Sequence, residues 1–210
     1  MALDDQTRKE LPRETKKAIR FVNCVAMALS PEERVFLNAD MKAALLGFML
    51  GIRPGVLFEG GIAKTEKIQA FLDDNHIDGF IYRSTRGNSF IINRRSIEER
   101  IERELKHDPE FAKQLGWQEG LSLDEWLRLA DEWGNFQQRR IVGFFLGYPK
   151  SALQAFGQEG QKNQGIEIAG PYGGRVLYFT TTPEMAEADD VRNLIEDSRM
   201  KFKAAGLAEF

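Results

Sequence analysis

Apolar positions in the first part of the chain recur at helical spacing. After a polar opening segment, residues 1–12, read as a loose tail, Ile19, Val22, Val25, Ala26 and Leu29 form one stripe. Ser30-Pro31-Glu32-Glu33 then reads as a capping box, with Pro31 where its missing N–H costs nothing. The helix it opens is expected to break near Asn38-Ala39-Asp40 and resume through "MKAALLGFML" to Gly51 and Pro54, giving a helical part over 13–50. "GVLFEGG" predicts a short buried strand from Val56 to Phe58, and Thr65 caps a helix with Ile68, Phe71 and Leu72 inward.

The pattern then switches period. "GFIYRSTRGNSFIINRR" holds two β-rich runs around Ser84-Thr85-Arg86-Gly87-Asn88 and predicts a β-hairpin. A helical insertion follows over 96–134. It has capping boxes at Ser96 and Ser122, a helix start at Asp108-Pro109, and stops at Gly116 and Gly134. Arg139 to Leu146 is read as a strand and Ser151 to Phe156 as a short helix. "GQEGQKNQG" is expected to be a mobile loop. Strands at Ile166–Ile168 and Arg175–Phe179 flank "AGPYGG", and Thr182-Pro183 opens a final long helix. This order is not a βα alternation. It predicts a single α+β domain over 13–210, with one mixed, largely antiparallel sheet of about five strands covered by helices.

Composition sharpens the picture in three places. A net charge of −3 argues against a dedicated nucleic-acid binder. One cysteine, Cys24, excludes an internal disulfide and fits a buried thiol in a reducing, cytoplasmic setting. The longest apolar-rich run, "AALLGFMLGI", is far short of a membrane span.

Three stretches, "GIRPGVLF" at 51–58, "FIYRSTRGNSF" at 80–90 and "VGFFLGYPKSALQAF" at 142–156, carry a resemblance. In this order the chain resembles an uncharacterised bacterial family known only as a domain of unknown function, with a Phe-Leu-Gly-Tyr-Pro signature. The resemblance implies no activity. The chain departs from that pattern in Arg139-Arg140 ahead of the signature and in the glycine-rich "GPYGGRVLYF".

The candidate chemistry centres on the Gly147-Tyr148-Pro149-Lys150-Ser151 corner. A chain leaving an apolar run into a helix start presents free amide donors, to which Lys150 adds a charge, Ser151 a hydroxyl and Tyr148 a ring. The plainer reading is a turn in which Gly147 supplies a backbone conformation and Tyr148 packs on a neighbour. Arg83 and Arg86 of the hairpin could form a fork for carboxylate or phosphate, or pair with surface acids. Tyr172 of the "GPYGG" loop completes the expected ligand set. His76 and His107 sit in no metal-binding spacing, so no metal site is expected and no cofactor is indicated. Trp126 and Trp133 lie seven apart on one helix face, as core or as a contact for a protein partner or a second copy. The expected function is a binding domain for a small anionic ligand or a protein partner. The alternatives are a transferase or hydrolase acting on a phosphate- or carboxylate-bearing metabolite, with Arg83, Tyr148 and Lys150 orienting it, and a purely structural or regulatory protein.

Overall fold

A computed structural model describes residues 11–132, 135–156 and 164–207. Most of the expected tail, most of the amide-rich loop, and Trp133 lie outside these residues. Helix α1 (Arg13–Ala28) buries Ala18, Phe21, Val22 and Val25, the expected stripe in slightly different register. The Ser30–Glu33 capping box is made: Ser30 N donates to Glu33 Oε2 at 2.8 Å and Glu33 N to Ser30 Oγ at 3.2 Å. It serves only one 3-10 turn, Glu33–Phe36, because Asn38 caps the real helix, α2 (Ala39–Met49), accepting from Met41 N.

Strands β1 (Gly55–Phe58), β2 (Gly79–Arg83) and β3 (Ser89–Asn93) form an antiparallel sheet in the order β1-β3-β2, with helix α3 (Thr65–Asp74) between β1 and β2 in sequence. Period-2 alternation divides the side chains of this sheet between two apolar layers. Val56, Phe58 and Ile91 join α1, α2 and α3 on one face. Phe90 and Ile92 join Phe80, Tyr82 and the later helices on the other. The hairpin turn closes as expected, with Gly87 at φ 83°.

The later helices are α4 (Arg94–Glu104), α5 (Pro109–Gln114), α6 (Leu123–Glu132), α7 (Asn135–Leu146) and α8 (Lys150–Ala155). Asn93 caps α4 by accepting from Ser96 N, so that helix starts ahead of the expected Ser96 box. The Ser122–Glu125 box is reciprocal as read. Strands β4 (Gln164–Ala169) and β5 (Arg175–Thr181) pair antiparallel as a separate two-stranded sheet. Helices α9 (Pro183–Ala186) and α10 (Asp189–Ala204) end the fold, so the expected final helix is two.

Two corrections follow. The expected strand at 139–146 is the second half of α7. Ile141, Phe144 and Phe145 are fully buried at i, i+3 and i+4, and Phe144 and Phe145 pack on Trp126 with ring centroids 5.3 and 5.0 Å away. Its β-branched and aromatic run is what a buried helix also shows, and tertiary packing decides between the two. The expected single sheet is instead two. A Cβ on Gly55 would lie 2.6 Å from Phe145 O, so the end of α7, not another strand, covers β1 there. No described helix is long and apolar enough to cross a membrane.

Candidate functional site

The two turns at 51–55 and 146–150 meet. Gly147 adopts φ 92°, and a Cβ there would lie 2.7 Å from Pro54 Cδ. A left-handed conformation and this close approach together require glycine. Beside this junction is a cleft of about 830 Å³. One wall is a face of α4 bearing Ser96, Arg100 and Arg103. The other is a face of α10 bearing Asp190, Asn193, Asp197 and Lys201. Arg53, Gly147 and Lys150 lie between them.

Arg53 is the unusual group. It is only 8% exposed. Its Nε donates to Gly55 O and its Nη1 to Val176 O, both at 2.6 Å, so it spans the seam between the two sheets. No carboxylate lies within ion-pair distance of it among the described residues. Its Nη2 has no protein partner among them. Thr181 Oγ1 is the one fully buried, unpaired side-chain polar atom among the described residues, so Nη2 is not fully buried, and Arg53 is one of the residues that line the cleft. Burial pushes the Arg53 pKa down to about 10, opposed only by the neighbouring Tyr148 phenol. It remains a cation at neutral pH.

Arg100 is equally buried but compensated. Its Nε meets both oxygens of Glu104 at 3.0 and 2.9 Å, its Nη1 donates to Phe144 O at 2.6 Å, and its Nη2 donates to Tyr148 O. The guanidinium also lies over the Phe144 ring, 4.1 Å from its centroid. Arg100 thus ties α4 to the corner that the sequence singles out.

At that corner the amides are largely in use. Gly147 N donates to Phe144 O, Tyr148 N to Gly143 O, and Ser151 N to Asp190 Oδ2 at 2.9 Å. Ser151 Oγ donates to Asp190 Oδ1 at 2.7 Å. Asp190 therefore supplies from within the protein the negative charge that the sequence argument reserves for a ligand. Lys150 lines the cleft but pairs with Asp108 at 2.5 Å, which with the Phe111 amide holds that carboxyl below its ordinary range. Tyr148 and Ser151 are not among the cleft-lining residues. The Tyr148 ring packs against Phe179, 5.5 Å between centroids, and burial pushes its phenol pKa up.

The hairpin arginines are not brought to this cleft. Arg83 Nη2 donates to Ile62 O at 3.0 Å and to Thr65 Oγ1 at 3.2 Å, fastening the loop ahead of α3. Arg86 donates to Gln138 Oε1 at 2.8 Å and to Asp131 O at 3.0 Å. The side chain of Tyr172 lies outside what the structure describes. Trp126 is fully buried and donates from Nε1 to Leu115 O at 2.8 Å, so it is core and not a partner contact. Cys24 is half-buried rather than buried, and desolvation raises its thiol pKa. No cluster of metal-ligating residues occurs among the described residues.

Arg53 is absent from the ligand set expected from sequence. Its signal was present: from Met41 to Phe58 the only charged residues are Lys42 and Arg53, and Arg53 sits between two apolar runs. A cation embedded there must find carbonyls, an acid or a ligand. Compared with protein-family models, with curated proteins and with solved structures, the chain matches none.

Proposed function

We propose that this protein is a binding domain for a small anionic ligand, a carboxylate or phosphate, held in the cleft between α4 and α10 with Arg53 as its anchor. The observation that carries this reading is a buried guanidinium with no counter-charge, lining a cleft of about 830 Å³. That volume lies within the range of small-molecule sites. A planar fork with one free nitrogen suits an anionic oxygen. Two of the three stretches that carry the family resemblance, 51–58 and 142–156, meet here, and Gly147 and Lys150 remain in the site from the sequence reading.

The test is thermal unfolding with inorganic phosphate, acetate and citrate as probes, at constant ionic strength. A probe at about a hundred times its Kd adds about 2.7 kcal/mol of stability. For a chain of 210 residues this raises Tm by about 5–11 °C. Arg53→Lys, which keeps the charge and loses the fork, should remove most of the rise. An equal rise in the variant, or no rise in the native chain with any probe, refutes the reading.

A further inference from the structure

The cleft is not uniformly basic: five cations on its surface face five carboxylates. Most of these are engaged. Glu104 is held by Arg100 and Arg103, Glu99 by Arg95, Asp189 by Arg192 and Asp190 by Ser151. Asp197 alone among these carboxylates has no ion pair or hydrogen bond among the described residues. Its natural partner is Lys201, one turn on at i+4 on the same face of α10. Lys201 is diverted. Its Nζ donates to Gly51 O, on the turn that carries Arg53. The cleft therefore holds two cations without a carboxylate partner, Arg53 and Lys201, the second with its ammonium on Gly51 O, and one carboxylate without a counter-charge, Asp197.

Resting on the anionic-ligand reading above, we propose that the ligand is a small aminocarboxylate, with its carboxylate on Arg53 and its ammonium on Asp197. A simple anion would gain from Arg53 and be repelled by Asp197. A simple amine would meet the reverse. A molecule carrying both groups meets complementary charge at each end. The cleft volume accommodates a molecule larger than a free amino acid, so the two groups can be separated by several bonds.

The experiment is calorimetric titration with three probes of one chain length: 6-aminohexanoate, hexanoate and hexylamine. The expected result is binding of 6-aminohexanoate about fivefold tighter than of hexanoate, the effect of one exposed charge pair, and no measurable binding of hexylamine. Asp197→Asn, at an exposed position that leaves the core untouched, should make the two carboxylates bind alike. Equal binding of hexanoate and 6-aminohexanoate to the native chain overturns the inference and leaves the anionic-ligand reading standing. A preference that survives Asp197→Asn also overturns it. Failure of both carboxylates to bind overturns both.

Discussion

Replacing Arg53 by methionine is the sharpest perturbation of this fold, because two opposed effects can be sized from the structure. Removing the guanidinium leaves Gly55 O and Val176 O without their donor. Each buried carbonyl so orphaned costs about 1–3 kcal/mol, or about 2–6 together. Against this stands the desolvation of the charge. The fall of the guanidinium pKa to about 10 through burial corresponds to about 3 kcal/mol carried by the folded state. The effects largely cancel, and Arg53→Met should lose less than about 3 kcal/mol. Arg100→Met is the comparison. It leaves the mostly buried Glu104 with only the exposed Arg103, and it orphans Phe144 O and Tyr148 O. Breaking a buried pair in this way costs about 3–5 kcal/mol. Urea unfolding at pH 7, followed by tryptophan fluorescence, gives both values. The reasoning fails if Arg53→Met is the more damaging variant, for that would require a counter-charge at Arg53.

Two further outcomes follow from the same geometry. At Gly143, a Cβ would lie 2.7 Å from Leu153 Cδ2 and 2.8 Å from Tyr148 Cδ2, so Gly143→Ala should cost about 1–3 kcal/mol by chemical denaturation. A neutral substitution would mean that the Tyr148 ring does not rest there. Asp40 accepts from the Arg175 side chain and backbone N, which hold its carboxyl below the ordinary 3.8. A depressed folded value gives stability that is full above the unfolded pKa and lost as pH falls through the folded one. The stability gap between native chain and Asp40→Asn should therefore be constant from pH 7 to about 4 and close below 3.8, with a size under about 1 kcal/mol for so exposed a pair. A gap that widens on acidification would reverse the assigned sign.

What the sequence disclosed was local. The Ser30 and Ser122 boxes and the hairpin around Gly87 are each set by residues within a few positions of one another, and each formed, although the Ser30 box opens a 3-10 turn where a helix was expected. One failure was local, since Asn93 and not Ser96 caps α4; the others were long-range. Arg139 to Leu146 has a composition that suits either a strand or a buried helix, and the choice was made by Trp126, distant in sequence, which packs on Phe144 and Phe145. The corner at Tyr148 was correctly marked as a sharp turn. That its helix start is occupied depends on Asp190, thirty-nine residues later, which no local pattern could supply. Arg83 and Arg86 were legible as hairpin residues, but their partners at Ile62, Thr65, Asp131 and Gln138 were not.

The position of Arg53 is fixed by what surrounds it rather than by its own bonds. Gly47, Gly55 and Gly147 each sit where a Cβ would strike a neighbour, Val176 Cγ1 at 2.4 Å, Phe145 O at 2.6 Å and Pro54 Cδ at 2.7 Å. This close packing brings the carbonyl oxygens of Gly55 and Val176 within hydrogen-bond distance of the guanidinium. A methionine or leucine would fill the same space without the cost of burying a charge. Because that replacement also leaves Gly55 O and Val176 O without their donor, the seam could be built at comparable stability without a cation. Stability alone therefore does not account for a cation at this position, and the proposed anionic ligand would supply the counter-charge that the described residues lack.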